Sequence, residues 1–245
     1  MIRRLTASDE DLLLAYAQSI LQNAEHGYEI SDLLKERVHL YEALGSFGGN
    51  DLNGILVYEK ELFRIIFLLR DTDEIGKSLL DEFVHIAESQ NIAKITVNAL
   101  EQDVSFYTDY GFDKTGEAMK AGKLTFVPIE YLTERRFLGT TVTVIIDHPY
   151  GSLHPSNPDV LYPLNCGYIK QDITNEDAYF QNAYVYGPEE PLDTFTGVVA
   201  GIVYHREDNL SRWIVIPAGM VIDHNAIIQK IAFEEQYYDT RIIWA

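Results

Sequence analysis

The chain has 245 residues, and its 47% hydrophobic content is enough to bury a sizeable core in one large domain or two small ones, which excludes a globally disordered protein. Its 38 acidic against 19 basic residues leave a formal charge of −19, spread over both halves, which argues against nucleic acid or anionic lipid as a partner. The single cysteine, Cys166, leaves no internal disulfide to form and fits a reducing compartment, so the expectation is a soluble cytoplasmic protein.

The opening "MIRRLTASDEDLLLAY" is basic but lacks the apolar core and cleavage site of a signal peptide, and no apolar run is long enough to span a bilayer. Residues 2–6 read as a short strand. Ser8, three before Asp11, resembles a capping box, and Leu12, Leu13, Ala15, Ala17, Ile20 and Leu21 give a helical stripe. A second helix is expected from Ser31, with Leu34, Val38 and Tyr41 on one face. "GSFGGNDLNG" reads as a loop or hairpin, and "ILVYE" and "LFRIIFLL" as strands. Residues 74–89 read as a helix with Ile75, Leu79, Leu80, Phe83 and Ala87 inward. "IAKITVNA" is a strand, "SFYTDYGF" a helical turn and "KLTFVPI" another strand.

Texture changes after Leu132, where "TERRFLG" reads as a polar hinge dividing a 1–132 domain from a 133–245 domain. "TTVTVIID", "YPLNCGYI", "NAYVYG", "FTGVVAGIVYH" and "RWIVIP" follow as strands between Pro, Gly and Asn turns, the pattern of a small barrel or sandwich. One helix, capped by Asp223, and a last strand, "RIIW", complete the chain. The expected fold is therefore an α/β domain followed by a small β-barrel with one C-terminal helix.

The stretch "LLRDTDEIGKSLL" raises the first chemical question. An apolar strand runs into a short loop and then a helix, the usual construction of a phosphate cradle. Yet Asp71, Asp73 and Glu74 stand where the anion would sit. At an effective dielectric of ~20, one like-charge contact near ~4 Å costs on the order of 4 kcal/mol. A helix terminus contributes only ~0.3–1 kcal/mol to an exposed anion. Acids in a helix's first turn are, by contrast, ordinary stabilisers. "GKS" does not extend to a P-loop, because the required earlier glycine is Asp71.

Strand, loop, helix and strand over 62–98, followed by "NALEQDVSFYTDYGFDKTGE" and "GKLTFVPIEYL", resemble the GNAT acyltransferase family over roughly residues 1–132. The resemblance implies a mixed sheet with helices on both faces and acetyl-CoA in a splay between two parallel strands. Backbone groups of Phe67, Leu69, Ile75, Gly76, Lys77 and Ser78 would hold the cofactor, and Tyr107 would protonate the leaving thiolate. The family loop reads [Q/R]-x-x-G-x-[G/A]. Here Asp71 takes the place of Gln or Arg, Glu74 replaces the first Gly, and Gly76 keeps the last position, so weak cofactor binding is expected.

"YPLNCGYI" at 162–169 resembles the "YPxNYGYI" signature of family I inorganic pyrophosphatases, supported by "IIDHP", "TNEDAYFQNAYV" and "FEEQYYD" around it. That resemblance implies an OB-like barrel in which aspartates hold Mg²⁺, with Asp147 and Asp177 as the carboxylates that align. Tyr179 and Asn182 replace the later acids of D-x-D-x-x-D, Cys166 replaces the signature Tyr, and Tyr238 replaces a helix Lys, so Mg²⁺ is expected to bind poorly. Cys166 reads as a small buried hydrophobe, and His148 and His154 as a metal pair lacking a third ligand. Three functions follow. They are an acyl-CoA-dependent N-acyltransferase, a reduced metal-dependent hydrolase, and a non-catalytic binding or assembly protein, for which an oligomer is compatible with the sequence.

Overall fold

The computed structural model describes residues 1–21, 41–155, 157–170, 180–208 and 210–245. The chain divides into two units, Met1–Thr133 and Glu134–Ala245. Unit 1 opens with β1 (Ile2–Arg4) and α1 (Glu10–Leu21), then β2 (Tyr41–Gly48), β3 (Asp51–Glu59) and β4 (Arg64–Arg70). It continues with α2 (Asp73–Ser89), β5 (Lys94–Leu100), α3 (Val104–Tyr110), β6 (Asp113–Lys114), β7 (Met119–Ala121) and β8 (Leu124–Leu132). The sheet runs β1-β2-β3-β4-β5-β8-β6, with β7 also on β8.

Period-two alternation sorts the core of unit 1 onto the two faces of this sheet. Leu56 and Tyr58 of β3 join a cluster with Leu79, Phe83 and Ala87 of α2 and Phe106 of α3. Their neighbours Ile55 and Val57 instead join Ala17 of α1, with Phe47 and Leu52. Helices therefore cover both faces of a mixed sheet.

Two local expectations are corrected. Tyr41 begins β2 rather than lying on a helix, and the rest of that expected helix falls outside the described residues. Ser8 sits inside a 3₁₀ turn, Ala7–Asp9, which Asp9 closes: its Oδ2 accepts from the Thr6 amide (2.9 Å) while Arg3 grips both carboxylate oxygens. A charged acceptor with an arginine partner outcompetes a hydroxyl for this turn. "GSFGGNDLNG" forms the hairpin joining β2 and β3, with Gly49 at φ 72° in the turn, a conformation glycine adopts freely.

β4 and β5 form the parallel pair of the sheet, and their pairing is brief. Arg64 faces Thr96 and Ile65 faces Val97, and no pairing continues beyond them. Past Ile65, β4 keeps β3 on one side, with Val57 opposite Phe67 and Ile55 opposite Leu69. The strands part, and only Asp71 and Thr72 separate the end of β4 from the start of α2.

Unit 2 contains β9 (Thr141–His148), β10 (Leu153–His154), β11 (Asn157–Leu161), β12 (Asn165–Lys170) and β13 (Phe180–Val185). β14 (Thr194–His205), β15 (Ser211–Ile216), α4 (His224–Glu235) and β16 (Thr240–Trp244) follow. β9, β12, β13, β15 and β14 pair in that order, and β14 pairs back to β9, so the five strands close a barrel. β13 and β15 run parallel, the other ring pairs antiparallel, and β16 adds to β14. One set of alternating side chains, including Val144, Val185, Val199, Trp213 and Val215, forms one cluster. The alternate set, including Tyr184, Val203, Ile214 and Ile216, packs against Ile227 and Ile231 of α4. Asp223 caps α4, its Oδ1 accepting from the Ala226 amide at 3.0 Å.

Candidate functional site

The parting of β4 from β5 leads directly to the first turn of α2, and the side chains there decide what it can hold. Thr72 is the N-cap: its hydroxyl accepts from the Ile75 amide (3.4 Å), and its carbonyl accepts from the Gly76 amide (3.1 Å). The Glu74 carboxyl is held below its usual range, first by its own backbone N–H and then by the Thr72 hydroxyl. Of the helix-start amides, those of Glu74 and Ile75 are thus already engaged within the turn. Asp71 accepts from the Tyr16 hydroxyl at 2.8 Å, and the Ser78 hydroxyl donates to the Glu74 carbonyl (2.9 Å). Lys77 is exposed.

Arg70, the last residue of β4, fills the space beside this turn. Its guanidinium carbon lies 3.8 Å from the centre of the Phe106 ring, stacked over it. Nε donates to Asp73 at 2.9 Å and Nη2 to Asp103 at 3.2 Å. Gly76 lies beneath: a Cβ there would overlap Arg70 Cδ and come within 2.8 Å of Phe106 Cζ. Side-chain packing is by itself enough to require a glycine at this position. A Gly→Ala change inside a helix ordinarily stabilises by roughly 0.5–1 kcal/mol. Gly76→Ala is expected to destabilise instead, by about 1–3 kcal/mol, because the added methyl overpacks the Arg70–Phe106 stack. Chemical denaturation followed by far-UV circular dichroism checks the sign.

Tyr107 lies next along α3, 4% exposed, edge-on to both Phe106 and Phe112. Burial, and then Asp103, push its hydroxyl well above the ordinary tyrosine value, with Arg70 opposing. A general acid works best with its pKa near the operating pH, and this environment moves Tyr107 away from it.

A sheet with one brief parallel pair, a helix beginning where that pair parts, and a tyrosine on the following short helix are all in place. Residues 71–133 match the acetyltransferase (GNAT) domain family. The match covers α2 through β8. Among solved structures, the chain is similar to a probable acetyltransferase from Staphylococcus epidermidis, at 16% identity and TM-score 0.43, covering 54% of this chain and 98% of that one. A GCN5-related N-acetyltransferase from Rhodopseudomonas palustris matches at 15% identity and TM-score 0.46, covering 54% and 94%. An aminoglycoside 6'-N-acetyltransferase complexed with coenzyme A matches at 10% identity and TM-score 0.43, covering 54% and 97%. No curated protein matches the chain.

The GNAT resemblance implied acetyl-CoA, and the residues present do not fit its pyrophosphate. The amides of Ile75 and Gly76 have partners, Arg70 and Phe106 occupy the adjacent volume, and Asp71, Asp73 and Glu74 surround the turn. Phe67 and Leu69 lie beyond the parting and Ile75, Gly76, Lys77 and Ser78 in the first helical turns, so the structure brings these residues to one region without leaving them a free cradle.

Of the barrel's two expected metal residues, one lies among the described residues. Asp147 pairs with Nδ1 of its neighbour His148 at 2.8 Å, and Asp177 lies outside the described residues. Among the described residues no group of three or more His, Cys, Asp or Glu is placed to hold a metal. His148 and His154 both pack on Tyr162, one edge-on and one stacked, and His154 Nε2 is 3.6 Å from Glu234. Cys166 is buried, and that burial pushes its thiol well above the usual range.

What the sequence reading missed is the charge network joining α4 to the barrel. Arg212 of β15 donates from Nη1 to the Tyr184 hydroxyl (2.5 Å), to Glu234 (2.6 Å) and to Glu235 (2.8 Å). The Tyr184 hydroxyl donates to Glu235 Oε1 at 2.5 Å, and His205 Nε2 lies 2.9 Å from Glu235 Oε2. Burial pulls the guanidinium down, but Tyr184, Glu234 and Glu235 more than offset it and hold Arg212 above its ordinary value. The available signal was the acid pair inside "FEEQYYD", on a helix otherwise presenting Ile227 and Ile231 to the barrel.

Proposed function

We propose that this chain is a non-catalytic binding or assembly protein, built from a GNAT domain over residues 1–132 and an OB-like barrel over 133–245. The observation that carries the reading is Arg70, packed on Phe106 and Gly76 and tied to Asp73 and Asp103, where a GNAT cofactor would enter. The buried Tyr107 and the engaged amides of α2 support it. In unit 2, the ring order of first, second, third, fifth and fourth strand supports an OB-type barrel related to pyrophosphatases. The pairing of Asp147 with His148 supports a barrel without metal chemistry.

A second reading, an acyl-CoA-dependent N-acyltransferase, is favoured by one observation: the parting of β4 and β5 beyond Ile65 and Val97. It requires Arg70 to leave its place. Isothermal calorimetry with acetyl-CoA separates the two. The expected dissociation constant exceeds ~100 µM, less than about 5.5 kcal/mol of binding free energy. In the same preparation, pyrophosphate with Mg²⁺ is expected to give neither a thermal shift nor phosphate release. Low-micromolar acetyl-CoA binding would overturn the non-catalytic reading of unit 1, and sustained phosphate release that of unit 2.

A further inference from the structure

We propose that Arg70 is an internal occupant of the GNAT cleft, a latch that closes the mouth between β4, α2 and α3 in place of a bound ligand. This rests on the reading of unit 1 as a GNAT domain whose cofactor region is shut.

The latch follows from where its partners lie. Arg70 ends β4, Asp73 stands in the first turn of α2, and Asp103 immediately precedes α3, with Phe106 in its first turn. One side chain thus joins the end of β4 to the starts of α2 and α3, the region to which the parting of β4 from β5 leads. Its side chain is 15% exposed, although it belongs to a strand end beside an acidic loop where a free arginine would extend into water. The stacking distance of 3.8 Å places the guanidinium plane on an aromatic face, a contact arginine makes and lysine makes less well. Asp73 is 66% exposed and Asp103 30%, so the exposed acid contributes little, and the stack, the Asp103 bond and the packing of the stem on Gly76 carry the closure. The Tyr107 hydroxyl senses both Arg70 and Asp103, so the latch lies in the electrostatic neighbourhood of the buried tyrosine. Removing Arg70 alone would leave two released carboxylates beside the vacated space, so an anionic ligand needs those acids neutralised whereas a neutral one does not.

The test uses the full chain and two probes. Acetyl-pantetheine is neutral and reads the available room alone; acetyl-CoA reads room and charge together. Four proteins are compared: wild type, Arg70→Ser, the triple variant Arg70→Ser/Asp73→Asn/Asp103→Asn, and Arg70→Lys, with far-UV circular dichroism confirming the fold of each. Wild type is expected to saturate with neither probe. The triple variant is expected to gain at least tenfold in affinity for acetyl-pantetheine, with a smaller gain for acetyl-CoA because Asp71 and Glu74 remain. Arg70→Lys, which keeps the charge and loses the planar stack, is expected to fall between. Should the triple variant fail to fold, Arg70→Ser with the neutral probe still decides, because released carboxylates do not repel an uncharged ligand: no gain for acetyl-pantetheine overturns the latch. Folded variants with no gain, beside a wild type that does not bind, overturn the latch and leave the non-catalytic reading standing. Low-micromolar acetyl-CoA binding by wild type overturns both.

Discussion

Arg212→Ala is expected to lower the stability of unit 2 by about 3–5 kcal/mol, the loss typical when one member of a buried ion pair is removed. The arginine's side chain is 20% exposed and that of Glu235 only 6%, so the charge left behind has little water to turn to. Three acceptors lose their donor at once: the Tyr184 hydroxyl, Glu234 and Glu235. Glu235 would keep only neutral or weakly charged partners, the Tyr184 hydroxyl at 2.5 Å and His205 at 2.9 Å. In a unit of this size the change corresponds to a fall in melting temperature of more than about 10 °C. The two tryptophans of the chain, Trp213 and Trp244, both lie in unit 2, so their fluorescence reports its unfolding selectively. A melt within about 2 °C of wild type would show that the network contributes nothing net.

Gly167→Ala is the second large effect expected. Gly167 faces Ile146 across the β12–β9 ladder, and an added Cβ would overlap the Ile145 carbonyl oxygen and approach the Ile146 Cα within 2.9 Å. Overpacking a core usually costs about 1–3 kcal/mol because side chains can shift to other rotamers. Here the obstacle is backbone, which has no alternative rotamer, so the cost should lie at the upper end of that range or beyond. The ladder would have to open at one of the five seams that close the ring. Soluble protein with a native tryptophan spectrum and unchanged denaturation midpoint would contradict this assignment. The glycine of the "YPLNCGYI" stretch is on this account a requirement of barrel closure rather than of chemistry.

Much of the barrel was legible in the sequence, for a definite reason. "FTGVVAGIVYH" and "RWIVIP" are β-branched runs bounded by turn residues, and they became β14 and β15 nearly residue for residue. Asp223 three residues before Ala226 announced the start of α4. In unit 1, the helix over 74–89 was readable from Leu79, Leu80, Phe83 and Ala87, which are all buried. Short pieces such as β6 and β7 carry too few residues to show a period, and Tyr41 was assigned to a helix whose remainder lies outside the described residues. The cleft was harder. Asp71, Asp73 and Glu74 could be seen to repel an anion, but the direction in which Arg70 points is decided by Phe106 and Asp103, more than 30 positions away in sequence. No local pattern encodes that meeting. Arg212 and its two glutamates were hidden for the same reason, being joined only when α4 lies on the barrel.

The long strand β14 serves three neighbours: residues 194–198 pair with β9, 198–204 with β15 and 201–205 with β16. During vectorial synthesis, β9, β12 and β13 emerge first, and neither β9 nor β13 has its second ring neighbour until β14 and β15 follow. Until Ile216 has left the ribosome, the nascent sheet carries two open edges, the condition under which strands pair with the wrong chain. Unit 1, whose last strand ends at Leu132, is complete long before then. A chain truncated between β14 and β15 would therefore pair an intact first unit with an unclosed, aggregation-prone second one, and deletions at the C-terminal end should be felt as insolubility before they are felt as loss of any ligand.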